Sequence, residues 1–403
     1  MRFTHTADCH IGGHRDPKLR LLTEQAFVQF VDQTLQLNVE FAVIAGDLFN
    51  TAIPGIDTLK FTVTQLGRLR DAKIPVYVIP GSHDYSPNGK TMIDVFEQAG
   101  LLRNVCRGTI TPDGKLQLAF TIGPGGVKIT GVIGRRGMLD REIYEDLDMN
   151  IANEPGKKIF LFHTAITELK PKNLAEMEGA PISFLPQGFD YYAGGHVHIV
   201  EKYDDAHYHN VVYPGPLFPN SFSELEQLRF GGFYYYNNGE IIRKDVLIKK
   251  VKSFLVSVDG MDVIAATKAI NNLSEDVKDA IVLLRIEGEL ASGSPAELDL
   301  REVVHRLEQL GAYAVLRNTA RLSSKDFVPV QLRSDDQSMI EELLLKEQAD
   351  QLTLSDTDGV ALASRMLRLL SQELQEGEKV HEYQDRMVNE ATELLIGKDD
   401  GKD

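Results

Sequence analysis

Cysteine is scarce in this chain: Cys9 and Cys106 are the only two among 403 residues. Two thiols build neither a disulfide framework nor a zinc knuckle, and their scarcity suits a reducing cytoplasm. Long apolar runs are missing as well. No stretch reaches the roughly 20 residues that span a bilayer. The opening residues Met1 to Asp8 lack the apolar region of a secretion signal, so the sequence predicts a cytoplasmic protein. There is no internal repeat and no low-complexity segment. Basic residues are also in short supply. The chain holds 43 Lys and Arg against 59 Asp and Glu, a net charge of −16, which argues against a polyanionic partner. The deficit is uneven: residues 331–403 hold 18 acidic and 8 basic side chains and carry −10, leaving −6 on the 330 residues before them. That larger part also contains carboxylates of metal-ligand type, whose charge bound cations would offset, so a phosphate-facing surface stays open.

What is present is an ordinary globular mixture, 43% hydrophobic and 25% charged, long enough for two or three domains. Over about the first 250 residues, short β-rich runs alternate with helical stretches, as in an α/β sandwich. Arg2–Ala7 reads as a strand ending at Asp8. Asp16-Pro17 offers an N-cap and a first-turn proline, and Leu22, Ala26, Phe27, Phe30, Val31 and Leu35 then recur at the helical period. Phe41–Ala45 is an apolar strand that stops at Gly46-Asp47, and a second helix carries Leu59, Val63, Leu66 and Leu69. Val76–Ile79 stops at Gly81-Ser82-His83-Asp84, Ile159–Phe162 before His163, and Tyr191–Ala193 before Gly194-Gly195-His196-Val197-His198. Residues of metal-ligand type thus recur where apolar strands end, and in α/β sheets ligands bind at the carboxyl ends of strands.

The pattern changes after the Asn237-Asn238-Gly239 turn. Lys252–Val258, Asp262–Leu273, Ala280–Ile286, Leu298–Leu310 and Ala312–Leu316 read as a compact βαβαβ unit without ligand-type clusters. The stretch from about Gln337 to Ile396 reads as helical and acidic, with Leu362, Met366, Leu369, Leu370 and Leu374 on one face, and Gly397–Asp403 as a disordered tail. The expected division is residues 1–250, 251–330 and 331–403.

The candidate ligands are Asp8, His10, Asp47, Ser82, His163, His196 and His198, with His83 beside them. Singly each is weak: an Asp-x-His pair is common, and a histidine after an apolar strand is more often a hydrogen-bonded core residue. The ordered set is stronger than any member. Two cations ~3.5–4 Å apart deliver a nucleophile to a phosphodiester and stabilise the leaving oxygen. Imidazole and carboxylate together suit manganese, iron or zinc rather than calcium or magnesium, and a carboxylate such as Asp47 has two oxygens with which to bridge two metals. Other features are set aside. Gly89-Lys90-Thr91 mimics the end of a phosphate-binding loop, but Asp84 stands where its glycine is required. Cys9, between two ligands, is expected to alternate away from them and pack. The clusters Arg15, Lys18, Arg20 and Arg135, Arg136, Arg141 read first as solvated surface.

Asp8-Cys9-His10, Ala45-Gly46-Asp47-Leu48-Phe49, Gly81-Ser82-His83-Asp84, His163 and Gly195-His196-Val197-His198 resemble the five motifs of calcineurin-like metallophosphoesterases. Gly46-Asp47-Leu48-Phe49 resembles the SbcD/Mre-type repair nucleases in particular. So does Asp190-Tyr191-Tyr192-Ala193 leading into Gly195-His196-Val197-His198, with Val212-Tyr213-Pro214-Gly215 after it. The resemblance covers about residues 1–250. It implies a four-layer αββα sandwich with two mixed sheets, followed by an α/β capping domain and a helical tail that binds an SMC-like coiled-coil ATPase of the SbcC/Rad type. It implies a first metal on Asp8, His10, Asp47 and His198 and a second on Asp47, Ser82, His163 and His196, with Mn(II) as the expected ion. His83 would protonate the leaving oxygen, oriented by Asp84. It also implies a homodimer acting on DNA. One position departs: the family has Asn where this chain has Ser82. A hydroxyl on a shorter stem predicts weaker binding of the second metal. Two other readings remain, a phosphatase or small-molecule phosphodiesterase, and a binding subunit whose catalysis Ser82 has weakened.

Overall fold

The computed structural model describes residues 1–86, 91–134, 143–171, 179–273, 276–326, 359–372 and 380–396. Arg135, Arg136, Arg141, Gly89, Lys90, Leu374 and the Gly397–Asp403 tail, all named above, lie outside the described residues. Met1–Ser323 form one compact unit and Ser324–Asp403 a second.

The first unit is built on two six-stranded mixed sheets. In the first, β1 (Arg2–Thr6), β2 (Phe41–Ala45), β3 (Val76–Ile79) and β4 (Arg103–Asn104) run parallel. A hairpin of β13 (Gly231–Asn237) and β14 (Glu240–Val246) adds antiparallel to β1. In the second, β8 (Lys128–Gly131), β9 (Lys158–His163), β10 (Tyr191–Gly195) and β12 (Val211–Pro214) are parallel, with β7 (Thr121–Ile122) and β11 (Val200–Tyr203) antiparallel at the edges. A small separate ribbon pairs β5 (Gly108–Ile110) with β6 (Leu116–Leu118).

Parallel strands buried on both faces read as continuous apolar runs, and the period of two splits each run between two cores. Phe41, Val43 and Ala45 of β2, with Phe3 and Tyr77 of the strands beside it, face the second sheet, where Ile159, Leu161, Tyr191 and Ala193 meet them. Ala42 and Ile44 face the other way, onto helix α1 (Pro17–Gln36) and helix α2 (Ile56–Asp71). Asp16 caps α1 by accepting from the Lys18 and Leu19 amides, Pro17 opens its first turn, and Leu22, Ala26, Phe27, Phe30 and Val31 are buried on that face, as the spacing requires. Helix α3 (Met92–Gln98) adds Ile93 and Phe96 to the same layer. Over the second sheet lie short 3-10 turns at Met149–Asn153, Thr167–Leu169 and Ile182–Phe184, which set Leu169 and Ile182 into the cluster of Phe160, Phe162 and Tyr192. The layering is the two-sheet sandwich expected, with 3-10 turns standing in the outer layer over the second sheet among the described residues.

Helix α2 departs from its expected face. Leu66 and Leu69 are buried and Leu59 is half-buried, but Val63 is 45% exposed and Ile56 72%. The period marks where apolar side chains lie, not what covers them, and here a second apolar strip faces outward.

A short helix, α4 (Phe222–Leu228), precedes the β13–β14 hairpin. The hairpin is followed by a three-stranded sheet ordered β15 (Lys250–Ser257), β16 (Ala280–Leu290), β17 (Ala314–Ser324). Two helices, α5 (Val263–Asn271) and α6 (Leu300–Gln309), cover one side through Ala266, Ile270, Val303 and Leu307. β16 alternates between two cores. Val282, Leu284 and Ile286 join that small cluster, while Ile281 and Leu283 join the large core beneath α1 and α2. Arg285 reinforces the junction with two hydrogen bonds to Glu226, at 3.1 and 2.7 Å. The second unit pairs α7 (Gly359–Leu370) with α8 (Val380–Ile396). On α7, Leu369 is buried and Leu362 and Met366 half-buried, whereas Leu370 points to solvent, against expectation.

Candidate metal centre

Five of the apolar strands end at the same edge of the sandwich, and the polar residues that follow them converge there. β1 leads to Asp8 and His10, β2 to Asp47, β3 to Ser82, His83 and Asp84, β9 to His163, and β10 to His196 and His198. Five of these residues take left-handed backbone: Asp8 (φ 50°), His10 (φ 44°), Asp47 (φ 50°), His196 (φ 100°) and His198 (φ 53°). Such conformations are uncommon for residues other than glycine and cost of order 1–3 kcal/mol each where the surroundings impose them. Here they turn the chain sharply out of the strand. Cross-strand amides hold the turns: Asp8 N–H donates to Gly46 O at 3.1 Å and His10 N–H to Asp47 O at 3.0 Å.

The side chains form three overlapping groups whose donor atoms lie within 4.8 Å of one another, each able to hold a metal ion. They are Asp8, His10 and His198; His10, Asp47 and His83; and Asp8, Asp47 and His163. Asp47 is central. Its Oδ2 lies 3.2 Å from His163 Nε2 and 3.7 Å from His10 Nε2, while Oδ1 accepts the His83 amide at 2.7 Å. His198 Nε2 stands 3.0 Å from His10 Nε2 and 3.7 Å from Asp8 Oδ1. Asp8 also accepts the His196 amide at 2.9 Å. The His196 ring stacks edge-on to His163 at 5.1 Å, and Ser82 Oγ reaches Asp47 Oδ2 only at 3.5 Å. Glycine is required at Gly81, where a Cβ would fall 2.2 Å from Asp47 Oδ1.

The rings are held from behind. His163 Nδ1 donates to Ala45 O at 2.9 Å, His83 Nδ1 to Asn50 O at 2.8 Å, and His198 Nδ1 to Glu224 Oε1 at 3.2 Å. The Asp84 carboxylate accepts the amides of Leu48, Phe49 and Gly81 at 3.1, 2.9 and 3.0 Å, tying the β2 and β3 turns together. Tyr213 of β12 fixes the chain after His163, donating to Thr164 O at 2.6 Å and accepting from the Ile166 amide at 3.1 Å. Nothing in the sequence marks Glu224, Asn50 O or Ala45 O as partners of these rings. Ser221-x-x-Glu224 does carry a helix-start signature, but nothing in it names His198 as a partner. Cys9 is buried beside Thr6 in the core under α1, turned from the cluster as alternation requires.

The electrostatics favour a cation. Burial opposes charge on Asp47, yet His163, His10 and the His83 amide together hold it well below the usual carboxylate range. Burial likewise opposes charge on His163, but Asp47 and Asp8 push it up to about 10. His198 rises to about 9 because Asp8 and Glu224 outweigh burial. Burial dominates at His10 and His196, which fall to about 3 and stay neutral, the form that ligates metal. The negative field that draws protons to His163 and His198 draws a divalent cation to the same place. His163 Nε2 is also fully buried without a well-directed hydrogen bond, a state that costs free energy unless another group satisfies it. The donor set therefore fits divalent metal. Beside it opens a cavity of about 830 Å³ whose wall includes His196, His198, Lys170, Lys202 and Glu224.

Residues 1–200 match the calcineurin-like phosphoesterase family. They are a calcineurin-like phosphoesterase domain. Among curated proteins, the chain is 27% identical over 274 residues to the DNA double-strand break repair protein Mre11 of Archaeoglobus fulgidus, covering 64% of this chain and 59% of that one. The protein of the same name from Methanosarcina mazei is 27% identical over 361 residues, 85% of this chain and 54% of that one. The Methanopyrus kandleri protein is 27% identical over 238 residues, 57% and 51%. The chain thus spans little more than half the length of these relatives. A solved structure, TT1561 of Thermus thermophilus, aligns over 61% of this chain and 98% of its own with a TM-score of 0.39 and 16% identity. Every candidate residue except Tyr213 and Glu224 falls within the matched phosphoesterase domain, whose family uses divalent metals.

Proposed function

We propose that the chain is a two-metal DNA exo- and endonuclease of double-strand-break repair. The observation that carries this reading is Asp47 Oδ2, which faces both His10 and His163 within 3.7 Å, as a carboxylate shared by two cations would. The named repair proteins among the relatives supply the substrate. Asp8, His10, Asp47 and His198 would hold one ion, and Asp47, Ser82, His163 and His196 the other, with Mn(II) suited to this mixed set. Bound, the two ions would offset phosphate charge and make water a nucleophile near neutral pH.

The chain's own residues do the rest. His83 Nδ1 donates to the Asn50 carbonyl, so in the doubly protonated ring Nε2 is the atom free to pass its proton to the leaving oxygen. His83 shares a donor group with His10 and Asp47, which sets that proton beside the reacting phosphate. Asp84 keeps the turn carrying His83 in place through its three backbone bonds. Ser82 is the weak member, a short neutral side chain at the second ion.

Three partners complete the reading: DNA, an SMC-like coiled-coil ATPase taken up by residues 331–403, and a second copy of the chain. The exposed apolar residues Ile53, Ile56 and Val63 at and on α2 support a self-association face. No helix among the described residues is long and apolar enough to cross a membrane, and the few cysteines agree with work in the cytoplasm. Residues 251–330 serve as a cap over the substrate.

The test is degradation of linear double-stranded DNA with Mn(II), in the natural chain, in His83→Ala and without metal. Degradation that needs both the metal and His83 supports the nuclease and its general acid. DNA binding without degradation favours instead a binding subunit weakened at Ser82, and hydrolysis of simple aryl phosphoesters without DNA affinity a small-molecule enzyme.

A further inference from the structure

His198 has two ring nitrogens with different neighbours. Nε2 looks into the cluster, 3.0 Å from His10 Nε2 and 3.7 Å from Asp8 Oδ1. Nδ1 lies 3.2 Å from Glu224 Oε1. A carboxylate only accepts, so Nδ1 carries the hydrogen, and the lone pair of the neutral ring sits on Nε2, the atom a cation needs. The opposite tautomer would set an N–H where the ion binds and a lone pair against Glu224.

Glu224 is itself held in place. It stands in the first turn of α4, where the Ser221 hydroxyl accepts its amide at 3.2 Å. Its carboxylate takes the Ser221 hydroxyl at 3.1 Å and the Asn220 amide at 2.8 Å, and its side chain is only 22% exposed. Three donors converge on one carboxylate, leaving it little freedom to turn from His198.

We propose that Glu224 is a positioning residue that fixes the tautomer and tilt of His198 and thereby sets the affinity of the metal centre. The proposal rests on the metal-centre reading above. Its test is Mn(II) titration by calorimetry on the full chain, wild type against Glu224→Ala, Glu224→Gln and His198→Ala. Removing an outer acceptor of this kind typically costs about 10- to 100-fold in metal affinity. That loss is expected in Glu224→Ala, while Glu224→Gln, whose amide oxygen still accepts from His198 Nδ1, recovers most of it. If Glu224→Ala binds Mn(II) like wild type while His198→Ala does not, the positioning role is wrong and the metal centre stands. If Glu224→Gln loses as much as Glu224→Ala, an acceptor on Nδ1 is not what sets the affinity and the proposal falls. If wild type takes up no Mn(II), or His198→Ala binds it unchanged, the metal-centre reading falls and the proposal with it. Should the alanine variant not fold, Glu224→Met keeps the length of the side chain, removes only the acceptor and gives the same decision.

Discussion

His163 and Asp47 meet at 3.2 Å across the seam between the two sheets, one at the end of β9 and the other just past the end of β2. Neither sheet makes this contact alone. It depends on the close approach of the β2 and β3 turns, and Gly81 is what permits that approach. In Gly81→Ala a Cβ would stand 2.2 Å from Asp47 Oδ1 and 2.3 Å from the Asp47 amide nitrogen. The turn must shift. Mn(II) affinity is expected to fall at least about tenfold, with the far-ultraviolet circular dichroism of the sandwich unchanged. Calorimetric titration checks it, and wild-type affinity would mean that Asp47 is not the shared ligand.

Ser82 calls for the opposite experiment, a gain. Ser82→Asn lengthens a buried side chain whose hydroxyl now reaches Asp47 only at 3.5 Å. The amide oxygen is expected to tighten the weaker of the two Mn(II) sites and to raise the hydrolytic rate at limiting metal. Unchanged affinity and rate in the same titration would show that the serine is no handicap.

Stability should depend on pH through His5, deep between the sheets with its Nδ1 2.9 Å from the Tyr191 hydroxyl. Burial holds its pKa at about 3, against 6.5 for the free side chain. Below 6.5 the unfolded chain takes up a proton there that the folded chain refuses. Stability from His5 is therefore complete above pH 6.5 and is lost as pH falls toward 3. The loss between pH 7 and pH 5 is about 2 kcal/mol. Urea unfolding at both values, without metal, should show this part of the pH effect missing in His5→Gln. An identical loss in the variant would assign it to other groups.

The outward strip of α2 predicts self-association. Ile56 and Val63 stand two turns apart on one face of the helix, and both are exposed. Ile56→Glu with Val63→Glu is expected to shift a dimer to monomer in light scattering after size exclusion, with the unfolding midpoint little changed, since neither side chain supports the core. An unshifted mass would place any dimer contact elsewhere.

Much of this molecule is legible in its sequence. The strands were legible because each is an apolar run stopped by a polar residue, and α1 because Asp16, Pro17 and the spacing of Phe27, Phe30 and Val31 agree. The set from Asp8 to His198 was legible because residue types recur at strand ends. The fates of Val63 and Leu370 were not, since periodicity groups apolar side chains without saying which group finds a partner. The short strands between Arg103 and Gly131 were missed because two to four residues carry too little alternation to stand out. Glu224, Asn50 O and Ala45 O escaped for a different reason. Two of them act through backbone carbonyls that every residue has, and the third meets His198 only after the chain has folded.

The two-faced strand β16 constrains how this protein can be altered. Ile281 and Leu283 are part of the large core while Val282, Leu284 and Ile286 belong to the small one. The small sheet is therefore not a detachable module. Cutting the chain before it would strip apolar side chains from the large core, and grafting a foreign sheet would have to reproduce one face of a single strand. Variation in the small unit is thus channelled into the loops and helices around β16, and the strand itself ties the fate of the small sheet to that of the large core.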